Sequence, residues 1–162
     1  MSGVRANRPP RGAISVGRLT DLDPVEAGAV LYLRLCSDAV DPEEAILRDF
    51  TNSLGNGAGP AAARSFCDLC DLCQRHARRP LCRHHLNCAC LGADEACFAQ
   101  MVAAAAEGAR EDALMMAMLI VRADLAPLVA GLAQDAGLAL RRMALRVTPA
   151  RQPTHPPATA LH

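Results

Sequence analysis

Asp23-Pro24-Val25-Glu26 and Asp41-Pro42-Glu43-Glu44 are one device written twice. An Asp accepts hydrogen bonds from the first backbone N–H groups of a helix, a Pro stands where no N–H partner is needed, and a Glu three residues after the Asp closes a capping box. Two helix starts follow. The first helix runs to about Ser37 and puts Val25, Ala29, Leu33 and Cys36 on one side; the second, EEAILRDFTNSL, carries Ile46, Leu47 and Phe50.

The residues available for a core point the same way. The chain is 51% hydrophobic, but its aromatics are only Tyr32, Phe50, Phe66 and Phe98, and Ala and Leu supply much of the rest. Such a set favours helices over sheets. At 162 residues one domain with its own core is expected. Every basic side chain is Arg, yet seventeen acids balance them. No global basic field remains to attract nucleic acid, and a coding bias that also raises Ala accounts for the Arg.

Further helices are expected from Pro60 to about Arg79, from Asp94 as cap to near Gly108, over Glu111 to Arg122, and from Asp124 to near Gly137. Residues 138–147 fit a helix or a short strand equally. The glycines at 55, 57 and 59 follow no strand and precede no Lys-Ser/Thr pair, so they read as a helix connector rather than a phosphate cradle. The fold class is therefore all-α: a compact bundle of six or seven short helices. The helix at about 111–122, with Leu114, Met115, Met116, Met118, Leu119, Ile120 and Val121, is apolar all round and is expected at the centre. Residues 1–19 and the Pro-rich tail 148–162 lack a core-forming pattern and are expected to be disordered, leaving 20–147 as the helical domain. The longest apolar run, Ala113 to Val121, is about half of the ~20 residues that cross a bilayer, and the N-terminus has no apolar block of signal-peptide length. A cytoplasmic protein with no membrane contact is expected, in a compartment that keeps thiols reduced.

Cys67 to Cys90, CDLCDLCQRHARRPLCRHHLNCAC, holds six of the eight cysteines and three of the five histidines. Its two halves read differently. Upstream of Pro80, helical spacing puts Ala62, Phe66, Leu69, Cys70, Cys73 and Ala77 on one stripe with Cys67 at its edge, so these thiols read as packing. The ferredoxin-like start is not continued: Ala77 stands where a fourth Cys is needed. Downstream, PLCRHHLNCACLG has neither a helical stripe nor alternation. There Cys82, His84, His85, Cys88 and Cys90, with Cys97 at the start of the next helix, are the candidate metal ligands. Zinc is the default for a Cys/His set and an Fe–S cluster the second choice. The same loop reads alternatively as a redox sensor, because Arg75, Arg78, Arg79 and Arg83 favour thiolate at Cys82, Cys88 or Cys90, and the helix dipole favours it at Cys97.

No catalytic signature surrounds these residues, so an enzyme is not expected. The functional expectation is a small regulatory or accessory protein that uses the loop from Cys82 to Cys90 as a metal or redox element. The alternative is a metal-free helical adaptor whose cysteines are packing. Another protein is the expected partner; a short basic patch without aromatics disfavours nucleic acid.

Overall fold

The computed structural model describes residues 9–147. Five α-helices make up most of it: α1 Pro24–Asp38, α2 Pro42–Arg75, α3 Ala93–Glu107, α4 Arg110–Ile120 and α5 Ala126–Val147. Two short strands, β1 Ser15–Arg18 and β2 Cys90–Gly92, pair antiparallel with Arg18 opposite Cys90. The strand β1 lies inside the N-terminal segment that composition marks as unstructured; residues 1–8 and the tail 148–162 are outside the described residues.

Both Asp-Pro starts begin a helix, but only the first closes its capping box. Asp23 accepts from the N–H groups of Val25 and Glu26 at 2.8 and 2.9 Å while Glu26 accepts from the Asp23 N–H at 3.3 Å, and Asp41 accepts from the Glu44 N–H at 3.1 Å. The glycine connector is shorter than its sequence suggests. Only Gly55 leaves helical geometry, with φ 85°, a region open to glycine and strained for other residues. The chain doubles back there, so that Phe50 and Phe66 of the same α2 lie 6.0 Å apart. Gly59 permits the approach: a Cβ on it would stand 2.5 Å from the Thr51 Cα.

All four aromatic rings share one cluster. Tyr32 packs edge-on against Phe50 at 5.1 Å and Phe66 at 5.7 Å, and Phe66 against Phe98 at 6.4 Å, an arrangement that suits the ring quadrupoles. Burial pushes the Tyr32 hydroxyl up to about 12, with Asp49 adding to the shift.

The central helix is α3, which corrects the expectation for 111–122. Phe98, Ala99, Met101, Val102, Ala105 and Ala106 of α3 are buried, and the helix packs against α1, α4 and α5. By contrast α4 buries Ala113, Ala117 and Ile120 and leaves Met115 57% and Leu119 70% exposed. The physical reason is volume. Alanines let three helices approach α3 closely, whereas a helix with large apolar side chains on every face needs more neighbours than this short chain can provide.

Gly137 shows the same closeness. It was expected to end a helix, yet α5 runs through it to Val147, which also settles 138–147 as helix. A Cβ at Gly137 would lie 2.6 Å from the Val102 carbonyl oxygen, so the residue lets α5 touch α3 rather than stopping α5.

Candidate functional site

The segment between α2 and α3 is irregular, and its shape is imposed by charges from the helices on either side. Arg34 of α1 is fully buried. Its Nε donates to Glu95 Oε1 at 2.7 Å and its Nη2 to Glu95 Oε2 at 2.8 Å, a two-pronged buried ion pair. The remaining donor capacity goes to the loop: Nη1 to the carbonyls of Cys88 at 2.6 Å and His85 at 3.2 Å, and Nη2 to the carbonyl of Cys90 at 2.6 Å. Glu95 in turn accepts from the His84 and Gly92 N–H groups, both at 2.9 Å. Burial alone would raise the Glu95 carboxyl, but Arg34 and these two N–H groups hold it below its ordinary value.

A second clamp lies beside the first. Arg79 forks onto Asp94 at 2.8 and 2.6 Å, and Asp94 also accepts from the Cys82 N–H at 2.9 Å. Burial pushes Asp94 up, yet the Arg79 and Cys82 donors win and its carboxyl is lowered. Asp94 was expected to cap α3; Gly92 stands at the cap position instead, and Asp94 turns to the loop. Gly12 packs over this pair so closely that a Cβ would overlap the Asp94 carboxylate. A third tie runs from the Leu86 N–H to Asp38 Oδ2 at 2.8 Å, and the edge of the loop is held where the Leu19 N–H donates to the Ala89 carbonyl at 3.0 Å.

Six residues are the candidates from which a tetrahedral metal site is expected to draw its ligands. Cys82 and Cys88 are half-buried, while Cys90 and His85 are exposed and His85 Nδ1 lies 3.9 Å from Asp38 Oδ2. His84 packs its ring against Gly92 and leaves a buried Nε2 with no hydrogen-bond partner among the described residues. Cys97 lies in α3, half-buried. Among the described residues no group of three or more His, Cys, Asp or Glu side chains is arranged to hold a metal ion. The predicted ligand set is therefore not assembled. Arg34 holds the carbonyls of His85, Cys88 and Cys90, which fixes the course of the loop backbone in this arrangement. The dipole expectation for Cys97 is also corrected, since burial and the neighbouring Asp94 raise its thiol, with Arg79 opposing them only in part.

The thiols that do meet come from α1 and α2. Cys36, in the last turn of α1, lines one cleft with Cys70 and Cys67 of α2. Hydrogen bonding by Cys70 lowers the Cys36 thiol, burial opposes this, and the Arg83 guanidinium lowers it further. The others move the opposite way: burial raises Cys67 to about 11, Cys73 to about 12 and Cys70 well above its ordinary value. Sequence spacing puts Cys36, Cys70 and Cys73 on apolar stripes and Cys67 at the edge of one. What it lacked was that the two stripes face one another.

Among the described residues no helix is long and apolar enough to cross a membrane. Set against protein families, curated proteins and solved structures, the chain and its fold find no significant match.

Proposed function

We propose that the protein is a helical regulatory or accessory module that recognises another protein through the clamped loop, in a cytoplasmic setting. The carrying observation is how Arg34 is used. A fully buried guanidinium is costly to desolvate, and here it is satisfied by the Glu95 carboxylate of α3 and by three carbonyls of the segment that precedes it. That arrangement fixes a surface shape. It displays His85, Asn87, Ala89 and Cys90 to solvent, and loops held by a rigid scaffold are where binding residues concentrate.

The test is site-specific photo-crosslinking in the cell that makes the protein, with the photoreactive side chain at position 87 and, as control, at exposed Asn56 on α2. A discrete protein adduct is expected at 87 only, weakened by Asp38→Ala, which removes the tie to the Leu86 N–H. Equal adducts at both positions, or an adduct with nucleic acid, would overturn the reading.

A zinc-binding reading of the same loop is supported by the density of thiol and imidazole donors and by the unpartnered Nε2 of His84. It requires the loop to leave the Arg34 clamp. Elemental analysis of protein purified without chelator decides between them: about one zinc per chain, lost in a Cys88→Ala/Cys90→Ala double variant, favours the metal.

A further inference from the structure

The cleft between the end of α1 and the second half of α2 has a volume of about 100 Å³ and is lined by Cys36, Cys67, Cys70, Glu43 and Gln74. Three thiols on one small opening are not required by packing, which a Val or Ala would serve as well. The three differ in burial: Cys36 and Cys67 are half-buried, and Cys70 is buried beneath them. A second feature is independent of the thiols. Arg83, from the loop, carries a buried Nη1 with no hydrogen-bond partner among the described residues, and its charge acts on Cys36. A buried guanidinium nitrogen left without an acceptor is expensive unless an anion stands nearby. Arg83 thus brings an unpaired positive charge toward the Cys36 end of α1, where it favours the ionised thiol.

We propose that Cys36 and Cys70 form a redox-active dithiol, in which a small hydroperoxide oxidises Cys36 and Cys70 resolves the product to an intramolecular disulfide. A cleft of about 100 Å³ suits a reactant the size of hydrogen peroxide. In the first step the Cys36 thiolate attacks one peroxide oxygen; an S–O bond forms, the O–O bond breaks, and the departing oxygen leaves as an alcohol or water after taking up a proton. Cys36 is now a sulfenic acid, oxidised by two electrons. In the second step the Cys70 sulfur attacks Cys36 sulfur; the S–S bond forms, the S–O bond breaks, and the hydroxyl leaves as water with the Cys70 proton. The division of labour follows the surroundings. Cys36 is half-buried and has the lowered thiol, as an attacking group needs, while Cys70 is deeply buried and its thiol is raised. Glu43 opposes the effect of Arg83 on Cys36 but does not cancel it.

Oxidation also reaches the loop. Cys36 sits between Arg34 and Asp38, the two α1 residues that hold the loop backbone. The dithiol thus stands where a new covalent bond can shift the recognition surface, although its chemistry does not depend on that surface having a protein partner.

The test treats the reduced full chain with one equivalent of hydrogen peroxide, blocks remaining thiols with iodoacetamide, and maps the peptides by mass spectrometry. A Cys36–Cys70 disulfide is expected as the main product. In Cys70→Ser, a 1,3-dione probe for sulfenic acid should label Cys36 about tenfold faster than Cys90 at neutral pH. Wild-type mapping stands whether or not Cys70→Ser folds. A Cys36–Cys67 disulfide, first oxidation at exposed Cys90, or linkage only between chains would overturn the proposal.

Discussion

The two cysteine-bearing stretches on either side of Pro80 are held by opposite forces. Upstream, Cys70 and Cys73 are buried with Phe66 and Leu69 on the apolar side of α2, and their thiols are raised because burial disfavours charge. Downstream, the backbone is held by two buried or half-buried carboxylates and one buried guanidinium, while much of the side-chain surface stays wet. The difference teaches where substitutions are felt. In the helix, identity of the side chain matters; in the loop, the backbone contacts matter and the thiols themselves are replaceable as far as folding goes.

The largest effect expected from that contrast is at Arg34. Replacing it with Ala strands a buried Glu95 and three loop carbonyls, and the loss of one member of a buried ion pair costs about 3–5 kcal/mol. Urea unfolding of Arg34→Ala measures it, and a variant as stable as wild type would show that the loop does not need its clamp. Acid comes next. Glu95 and Asp94 hold their carboxyls below the ordinary 4.5 and 3.8, so the unfolded chain takes up protons first. The stability they contribute is fully present above about pH 4.5 and drains as pH falls through their folded values. Unfolding midpoints recorded between pH 7 and 3 should fall in that window, and Asp94→Asn should flatten part of the slope; stability that rises on acidification would break the account.

Smaller again is Cys73→Ser, which puts a hydroxyl into an apolar site at about 1–3 kcal/mol. The matching change in the loop, Cys90→Ser, should leave the unfolding midpoint unchanged, because that side chain is exposed. If the pair of effects came out reversed, the contrast between the two stretches would be wrong.

Much of the helical punctuation was legible in sequence because caps act over three or four residues. Both Asp-Pro starts, the stripe holding Cys70 and Cys73, and the approximate ends of α1 and α3 are of this kind. Asp94 and Gly137 misled for a common reason: each looks like a local signal, a cap and a stop, while its real role is a contact with a distant element. Arg34 gave a faint signal, standing four residues after Val30 on what became a buried face. Nothing local said that its partner would be Glu95.

By itself the sequence determined that this chain is helical, where two of its helices begin, and that the thiols of α2 turn inward, since these depend on backbone capping and on a period of 3.6 residues. Only the tertiary structure decided that α3 is the centre, that the loop folds around a guanidinium, and that Cys36 meets Cys70. Those outcomes turn on which helix faces which, and that choice is made by side-chain volume and charge pairing between residues far apart in the chain.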